Sequence, residues 1–469
     1  MNYKVPLHID KNKVFIINYS ELVGRYDSNY YIEKTDYSNC IRLSKIARVK
    51  GGKRIPLGLD YSNQETSNLY LRVANMDENS EFNYSEFKFI SDEVYDILKR
   101  YEVFNDDLII SIAGTVGKIK IVNNIPHNKK IILTENCAKI EISDKTKILP
   151  HYLKLILQTE FLKKQIDLGY IQTTIPKLGI DKILGLKIPK IPSIERQINI
   201  IDLYQTSYNK KQKNENQAKE LLKSIDSYLL NELGITLPTK NNSLQDRIFT
   251  TSFSEVTGVR LDPDYISKQK FLFTRNSKYQ FEQFKNILSS SPQYGANEEA
   301  IEGNSYDNIR YIRITDIDEW GNLRNDKWKT AGKINPIYLL ENNDILIART
   351  GATVGKSFIF KKSNFEAIFA GYMIRFVVDQ KKANPDYIFY YLNSSYYKYW
   401  ISAIQRPSAQ PNINSEEYKS LPIALPPLQK QTEIANHIQG LRTNAKQLQE
   451  EAKIILDIAK QEVERMILG

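Results

Sequence analysis

Five blocks of this chain occur twice, in the same order, and this duplication limits what it can fold into more than any single motif does. SELVGRYDSNYY, residues 20–31, is matched by SEVTGVRLDPDYI, residues 254–266, each with an arginine two residues before an aspartate and a tyrosine three after it (Arg25, Asp27, Tyr30; Arg260, Asp262, Tyr265). YLRVANMD at 70–77 is matched by YIRITDID at 311–318, and LPHYLKLILQ at 149–158 by NPDYIFYYLN at 384–393. IPSIERQINII at 191–201 is matched by LPPLQKQTEIA at 425–435. DDLIISIAGTVGK at 106–118 lies over DILIARTGATVGK at 344–356 at a constant offset, which predicts a gapless equivalence of Asp106 with Asp344 and Lys118 with Lys356. Similar hydrophobic strands could give one such match, not five in register. The repeat is far longer than a solenoid unit, so two copies of a whole domain and a pseudo-two-fold molecule are expected.

One copy reads as mixed helix and strand. Residues 344–360 read as strand, glycine turn and strand. YIRITDID alternates apolar and polar residues like a half-buried strand, and 384–404 reads as one helix with an aromatic face and Pro385 near its start. Beyond Pro426 and Pro427 the pattern changes: Ile434, Ile438, Leu441, Ala445, Leu448, Ala452, Ile455 and Ala459 alternate spacings of four and three, a heptad seam. The first copy has a matching helix over 193–233, stopped by Gly234. Its ends are apolar (Ile194, Ile198, Ile201; Leu222, Ile225, Leu229) and its middle, 210–217, is polar. Each helix is roughly 60 Å long at the usual rise. One apolar seam needs a partner, and the helix of the other copy supplies it. The expected architecture is α+β: domain one over 1–192, helix one over 193–234, domain two over 235–425 and helix two over 426–469, with the helices paired as an antiparallel coiled coil.

Composition narrows the function. Lys and Arg total 65 against 55 Asp and Glu, a formal charge of +10, a modest excess compatible with a polyanionic partner. Two isolated cysteines, Cys40 and Cys137, fit a reducing compartment, and with four scattered histidines they make no zinc-type cluster. No apolar run suits a membrane span and the first residues lack a signal-peptide core, so a cytoplasmic location is expected.

The apparent chemical motifs weaken on inspection. Gly351-Ala-Thr-Val-Gly355-Lys356-Ser357 is one residue short of a phosphate-binding loop, and its counterpart ends in Gly117-Lys118-Ile119 without the hydroxyl that would hold magnesium. Pro385-Asp386 followed by Glu417-Tyr418-Lys419 loosely imitates a nuclease site, but an aspartate at a helix start is ordinary capping chemistry. Neither 262–265 nor 384–387 supplies the second proline of an adenine-methylase loop. What remains suits readout. Lys50-Gly-Gly-Lys53-Arg54 is a basic loop, and the equivalent loop, 289–302, differs strongly from it. Arg72 and Arg313 occupy matched positions and leave two readings open: bidentate contact with guanine or phosphate, or pairing with a carboxylate such as Asp316. Of the thirty tyrosines, most are expected in the core.

GKRIP before YLRVANMD, RYIRITDID, DILIARTGATVGKS and LPPLQKQTEIANHI together resemble the specificity subunits of type I restriction–modification systems, over nearly the whole chain. The resemblance implies two target-recognition domains, each reading half of a split site in double-stranded DNA. It also implies an antiparallel helical spacer, two methylation subunits docked near the helices, and two restriction subunits that can join them. S-adenosylmethionine and ATP would belong to those partners; no cofactor, metal or catalytic residue is expected on this chain. The specificity subunit of a fused nuclease–methylase system, or a stand-alone DNA-binding decoy or regulator, would share these features. The candidate DNA-contacting residues are Lys50, Lys53, Arg54, Arg72, Lys118, Tyr294, Arg313, Arg349, Lys356 and Arg406.

Overall fold

A computed structural model describes residues 37–77, 82–169, 176–238, 248, 250–253, 265–266, 268, 277–303, 309–318, 320–324, 328–362, 365–405 and 411–469. The arginine–aspartate–tyrosine blocks, apart from Tyr265 and Ile266, and Arg406 lie outside the described residues. The chain forms two compact units, residues 1–213 with 451–469, and residues 214–450. Among the described residues no helix is long and apolar enough to cross a membrane.

The first unit contains ten described strands: β1 (Cys40–Arg42), β2 (Ala47–Gly51), β3 (Asn68–Leu71), β4 (Lys88–Ile90), β5 (Glu102–Val103), β6 (Leu108–Ser111), β7 (Ile119–Ile121), β8 (Lys130–Leu133), β9 (Cys137–Ile142) and β10 (Lys187–Pro189). Its helices are α1 (Asp92–Leu98), α2 (Pro150–Leu157), α3 (Glu160–Gly169), α4 (Ile180–Gly185) and the first part of α5 (Ile194–Leu233). One sheet has the order β2-β9-β6-β7 and is antiparallel. A second has the order β4-β3-β8-β5, with β3 and β8 parallel. Strands β1 and β10 pair separately. Leu108, Ile110, Ala138 and Ile140 from the first sheet pack against Tyr152, Leu153 and Ile156 of α2.

The second unit contains β11 (Phe281–Gln283), β12 (Gln293–Tyr294), β13 (Ala300–Glu302), β14 (Arg310–Ile312), β15 (Lys329–Ala331), β16 (Ile345–Ala348), β17 (Ser357–Ile359), β18 (Ala367–Phe369), β19 (Met373–Phe376) and β20 (Pro422–Ala424). Its helices are the end of α5, α6 (Pro385–Tyr391), α7 (Ser395–Ile404), α8 (Ser415–Lys419) and most of α9 (Leu428–Leu468). The sheet order β12-β19-β16-β17, the parallel pair β14–β18 and the antiparallel pair β11–β20 repeat the connectivity of the first unit. Its core is aromatic. Burial holds Tyr387, Tyr391, Tyr397 and Tyr418 at the centre, and their hydroxyls donate to the carbonyls of Ala424, Pro422, Gly355 and Ala348, so each polar tip is satisfied.

Three local expectations change. The hairpin copies are not gapless. Asp106 and Asn343 share a positive φ, and the carboxylates of Asp107 and Asp344 each accept from a backbone N–H three residues earlier, which sets an offset of 237 (344 − 107). Beyond the turn, Gly117 and Gly355 donate to the equivalent carbonyls of Ser111 and Ala348, and the offset is 238 (355 − 117). The second turn is therefore one residue longer, and Arg349 is equivalent to Ile112. Residues 384–404 form two helices, α6 and α7, because Ser394 is extended and its hydroxyl accepts from Tyr397 N at 3.2 Å. Thr159 interrupts α2 and α3 in the same way, its hydroxyl accepting from Leu162 N. The YIRITDID strand is confined to Arg310–Ile312 and is fully buried. A 3-10 turn over Ile314–Asp316 follows, closed by Arg313 N donating to the Asp316 carboxylate at 3.0 Å.

Within each unit the long helices meet. In the first, Ile200 of α5 shares a core with Val463 and Ile467 of α9, and Arg196 donates to the Met466 carbonyl at 3.1 Å. In the second, Leu229 and Leu233 of α5 pack with Ile434, Ala435 and Ile438 of α9, beside a 2.8 Å ion pair of Glu232 with Lys430. Ile198, expected on the apolar end of α5, is exposed, whereas Gln197 is buried. Lys211 and Asn214, in its polar middle, are also buried.

Each antiparallel sheet sets a basic side chain beside an aspartate: buried Lys139 lies 3.3 Å from Asp107, and half-buried Arg375 lies 3.4 Å from buried Asp344. Burial pushes the Asp344 carboxyl above its ordinary value, against the backbone hydrogen bond at Glu341 and the Arg375 charge. Removing the carboxylate would leave Arg375 uncompensated in the sheet. Asp344→Ala should therefore destabilise the fold by roughly 3 kcal/mol, read as a lowered thermal-unfolding midpoint.

Candidate nucleic-acid interface

In each unit the parallel strand pair brings two distant loops together. In the first, β3 leads into Arg72 and the turn at Val73–Asn75, while β8 leads into Thr134, Glu135 and Asn136. The basic loop after β2 closes over both. Gly52 N donates to the Cys137 carbonyl at 2.9 Å and Lys53 N to the Leu133 carbonyl at 3.0 Å. A Cβ at residue 52 would overlap the carbonyl oxygen of Thr134, so only glycine permits this approach. Tyr70 locks the loop by donating to the Lys53 carbonyl at 2.6 Å. The second unit has the same clasp: Tyr311 donates to the Ala296 carbonyl at 2.7 Å, and Gly295 abuts the Phe369 and Ala370 carbonyls.

Together these loops leave a groove of about 470 Å³ on the first unit. Arg54, Tyr61, Tyr70 and Arg72 line one part of it, and Thr134, Glu135 and Asn136 another, with Asp60 at the rim. Arg54 Nε donates to Glu135 at 2.7 Å, although the Arg54 side chain is 80% exposed. Burial pushes the Glu135 carboxyl up, but hydrogen bonds from Arg54 and Thr134 and the Arg54 charge outweigh it and hold it below the ordinary carboxylate range. Burial raises the Tyr70 phenol to about 12, so it stays protonated as a donor.

The equivalent surface of the second unit carries different chemistry on the same frame. Asn297 and Gly371 replace Arg54 and Glu135. Arg313 is held by Asp316, with Nε 3.1 Å and Nη2 2.7 Å from its two oxygens. Of the two readings left open for Arg313, the carboxylate pair is the one observed. Nearby, Arg349 lies over the Tyr294 ring, 4.8 Å from its centroid, and its Nε is buried without a hydrogen-bond partner among the described residues. The Tyr294 hydroxyl reaches Ser415 Oγ at 3.2 Å. Tyr294 and Arg349 thus form one cluster, although 55 residues separate them (349 − 294).

The remaining candidates are dispersed. Lys50 pairs with Glu141 at 2.8 Å on β2. Lys53 is exposed, its backbone engaged by the clasp, and Lys118 is half-buried at the hairpin end. The Lys356 ammonium donates to the Ile317 carbonyl. Tyr61, Glu135, Asn136 and Asp60 escaped the sequence reading, because the parallel pairing that assembles them leaves no local pattern.

These features accompany matches to known proteins. Residues 296–455 match the family described as Type I restriction modification DNA specificity domain. The chain is 30% identical over 154 residues to the type I restriction enzyme StySPI specificity subunit of Salmonella potsdam, covering 31% of this chain and 32% of that protein. It therefore spans about a third of that relative's length. It is 22% identical over 388 residues to the type I restriction enzyme MjaVIII specificity subunit of Methanocaldococcus jannaschii, covering 78% of each. A structure from a study of complex assembly and conformational transition of the type I restriction–modification system shares the fold, with a TM-score of 0.53, 13% identity and coverage of 91% of this chain and 96% of that chain. The chain is thus similar to the specificity subunits of type I restriction–modification systems, and residues 296–455 carry the match to their DNA specificity domain.

The two matched turns should respond differently to truncation. Asp316 is 2% exposed and carries the Arg313 charge, so Asp316→Ala should cost roughly 3 kcal/mol. Asn75→Ala removes one neutral cap and should cost about 1 kcal/mol. Thermal unfolding of the two variants checks the ranking.

Proposed function

We propose that this chain reads a two-part site in double-stranded DNA, one part with each unit, and has no catalytic activity of its own. The observation that carries this reading is the repeated clasp with unlike residues around it: Arg54, Arg72 and Glu135 on one copy, Tyr294, Asn297 and Arg349 on the other. A shared frame with different donors and acceptors suits recognition of two different base sequences. We assign 1–192 and 235–425 as target-recognition domains, and 193–234 and 426–469 as spacer helices. The helix contacts within each unit support an antiparallel spacer that sets the gap between the two parts. Two methylation subunits would dock near it, with two restriction subunits joining in a cleaving assembly. S-adenosylmethionine and ATP would bind to those partners, in the cytoplasm, and this chain would direct adenine methylation or cleavage to its site.

Lysine and arginine contacts with phosphate would supply most of the affinity, and base contacts the choice of site. Plasmid DNA from cells expressing the neighbouring methylation subunit with this chain should carry adenine methylation at one split motif. Without this chain the methylation should vanish, and exchange of one domain should change only one part of the motif. Binding should also weaken steeply with salt, the log–log slope counting the phosphates contacted. Methylation independent of this chain would refute the proposal.

A further inference from the structure

The groove on the first unit contains an arginine that has no counter-ion among the described residues. In the second unit the equivalent turn places Asp316 against both Arg313 Nε and Nη2. In the first, Asn75 occupies that place. Its Oδ1 accepts from Arg72 N at 3.0 Å, so the turn is kept, but a neutral amide gives the guanidinium no carboxylate. Among the described residues the Arg72 guanidinium has no hydrogen bond or ion pair, and its Nε is buried. Among those residues, the Tyr61 ring is the aromatic group that lies across it, 5.8 Å from the guanidinium carbon. A half-buried charged donor with no acceptor is costly unless a ligand supplies one.

The surroundings decide which ligand. Glu135 and Asp60 place two carboxylates in the same groove, and a phosphodiester would meet their repulsion. A neutral base edge would not. Guanine offers the paired acceptors O6 and N7 that match the fork of an arginine, and its cytosine partner offers an N4 amino group that a carboxylate can accept. Arg54, already engaged by Glu135, is poorly placed to compete for the guanine.

We infer that Arg72 reads the guanine of a G·C pair in the major groove, and that the residue at position 75 decides whether this arginine is available. This rests on the DNA-reading function proposed above. The identity of one side chain, asparagine or aspartate, would switch one unit between an arginine that reads DNA and one held by its own turn.

The test uses the full chain purified with its methylation subunit and a pool of randomised duplex DNA, comparing wild type, Arg72→Gln and Asn75→Asp. The Asn75→Asp turn should fold, since Asp316 already occupies the equivalent turn, and unchanged thermal unfolding would check this. We expect both variants to relax selection at one G·C pair in one part of the motif, by roughly ten-fold or more, with the other part unchanged. An unchanged motif in both variants would overturn the inference. So would an equal loss on every sequence with a salt slope lowered by about one, which is the behaviour of a phosphate contact. Failure of the wild-type complex to select any motif would instead refute the DNA-reading proposal, and this inference with it.

Discussion

The parallel pairing of β3 with β8, and of β14 with β18, is the constraint on which the candidate interface depends. It sets Arg72 beside Thr134–Asn136, and Arg313 beside Tyr372, across more than fifty residues of chain in each case (134 − 72, 372 − 313). The loop after β2 or β12 can close over that pair only because a glycine stands where any side chain would strike a carbonyl. The tyrosine that opens YLRV or YIRI then ties the loop down by its hydroxyl. Hydrogen bonds to backbone carbonyls dominate this clasp. Side chains at the rim can therefore change without loosening it, which accounts for a constant frame with divergent edges.

Much of this was legible in the sequence. The order of the duplicated blocks matches the repeated sheet connectivity, and the hairpins, the long helices and the stop at Gly234, with φ +67, follow from glycine placement and apolar periodicity. Core tyrosines were expected and found. The failures share a cause: short polar side chains that bond to the backbone override periodicity. Ser394 and Thr159 break helices that apolar spacing would continue, and Asp316 and Asn75 end strands that alternation would extend. The extra turn residue between Gly351 and Gly355 was hidden because the strand before it, shifted by one residue, still matches in similar letters. The backbone hydrogen bonds separate the two registers.

The candidate site was less legible than the fold. Basic residues are easy to count, but their availability depends on partners that sequence does not name. Lys50, Arg54, Arg313 and Lys356 all have acceptors for their side chains, whereas the Arg72 guanidinium has none among the described residues. The difference between Arg313 and Arg72 traces to one neighbour three residues on. The cluster of Tyr294 with Arg349 traces to the pairing of β12 and β16 with β19.

One feature of the long helices bears on how durable their attachment is. Gln197 and Gln431, in matched positions at the two helix starts, are buried, and each amide grips the loop before a proline-led helix. Gln197 accepts from Leu149 N at 2.9 Å and donates to the Lys147 carbonyl at 2.8 Å. Gln431 accepts from Asn384 N at 2.8 Å and donates to the Pro426 carbonyl at 2.8 Å. These joints carry no formal charge, so mobile ions have little to screen. A rise in ionic strength that weakens surface ion pairs should therefore leave the start of each helix seated on its own unit.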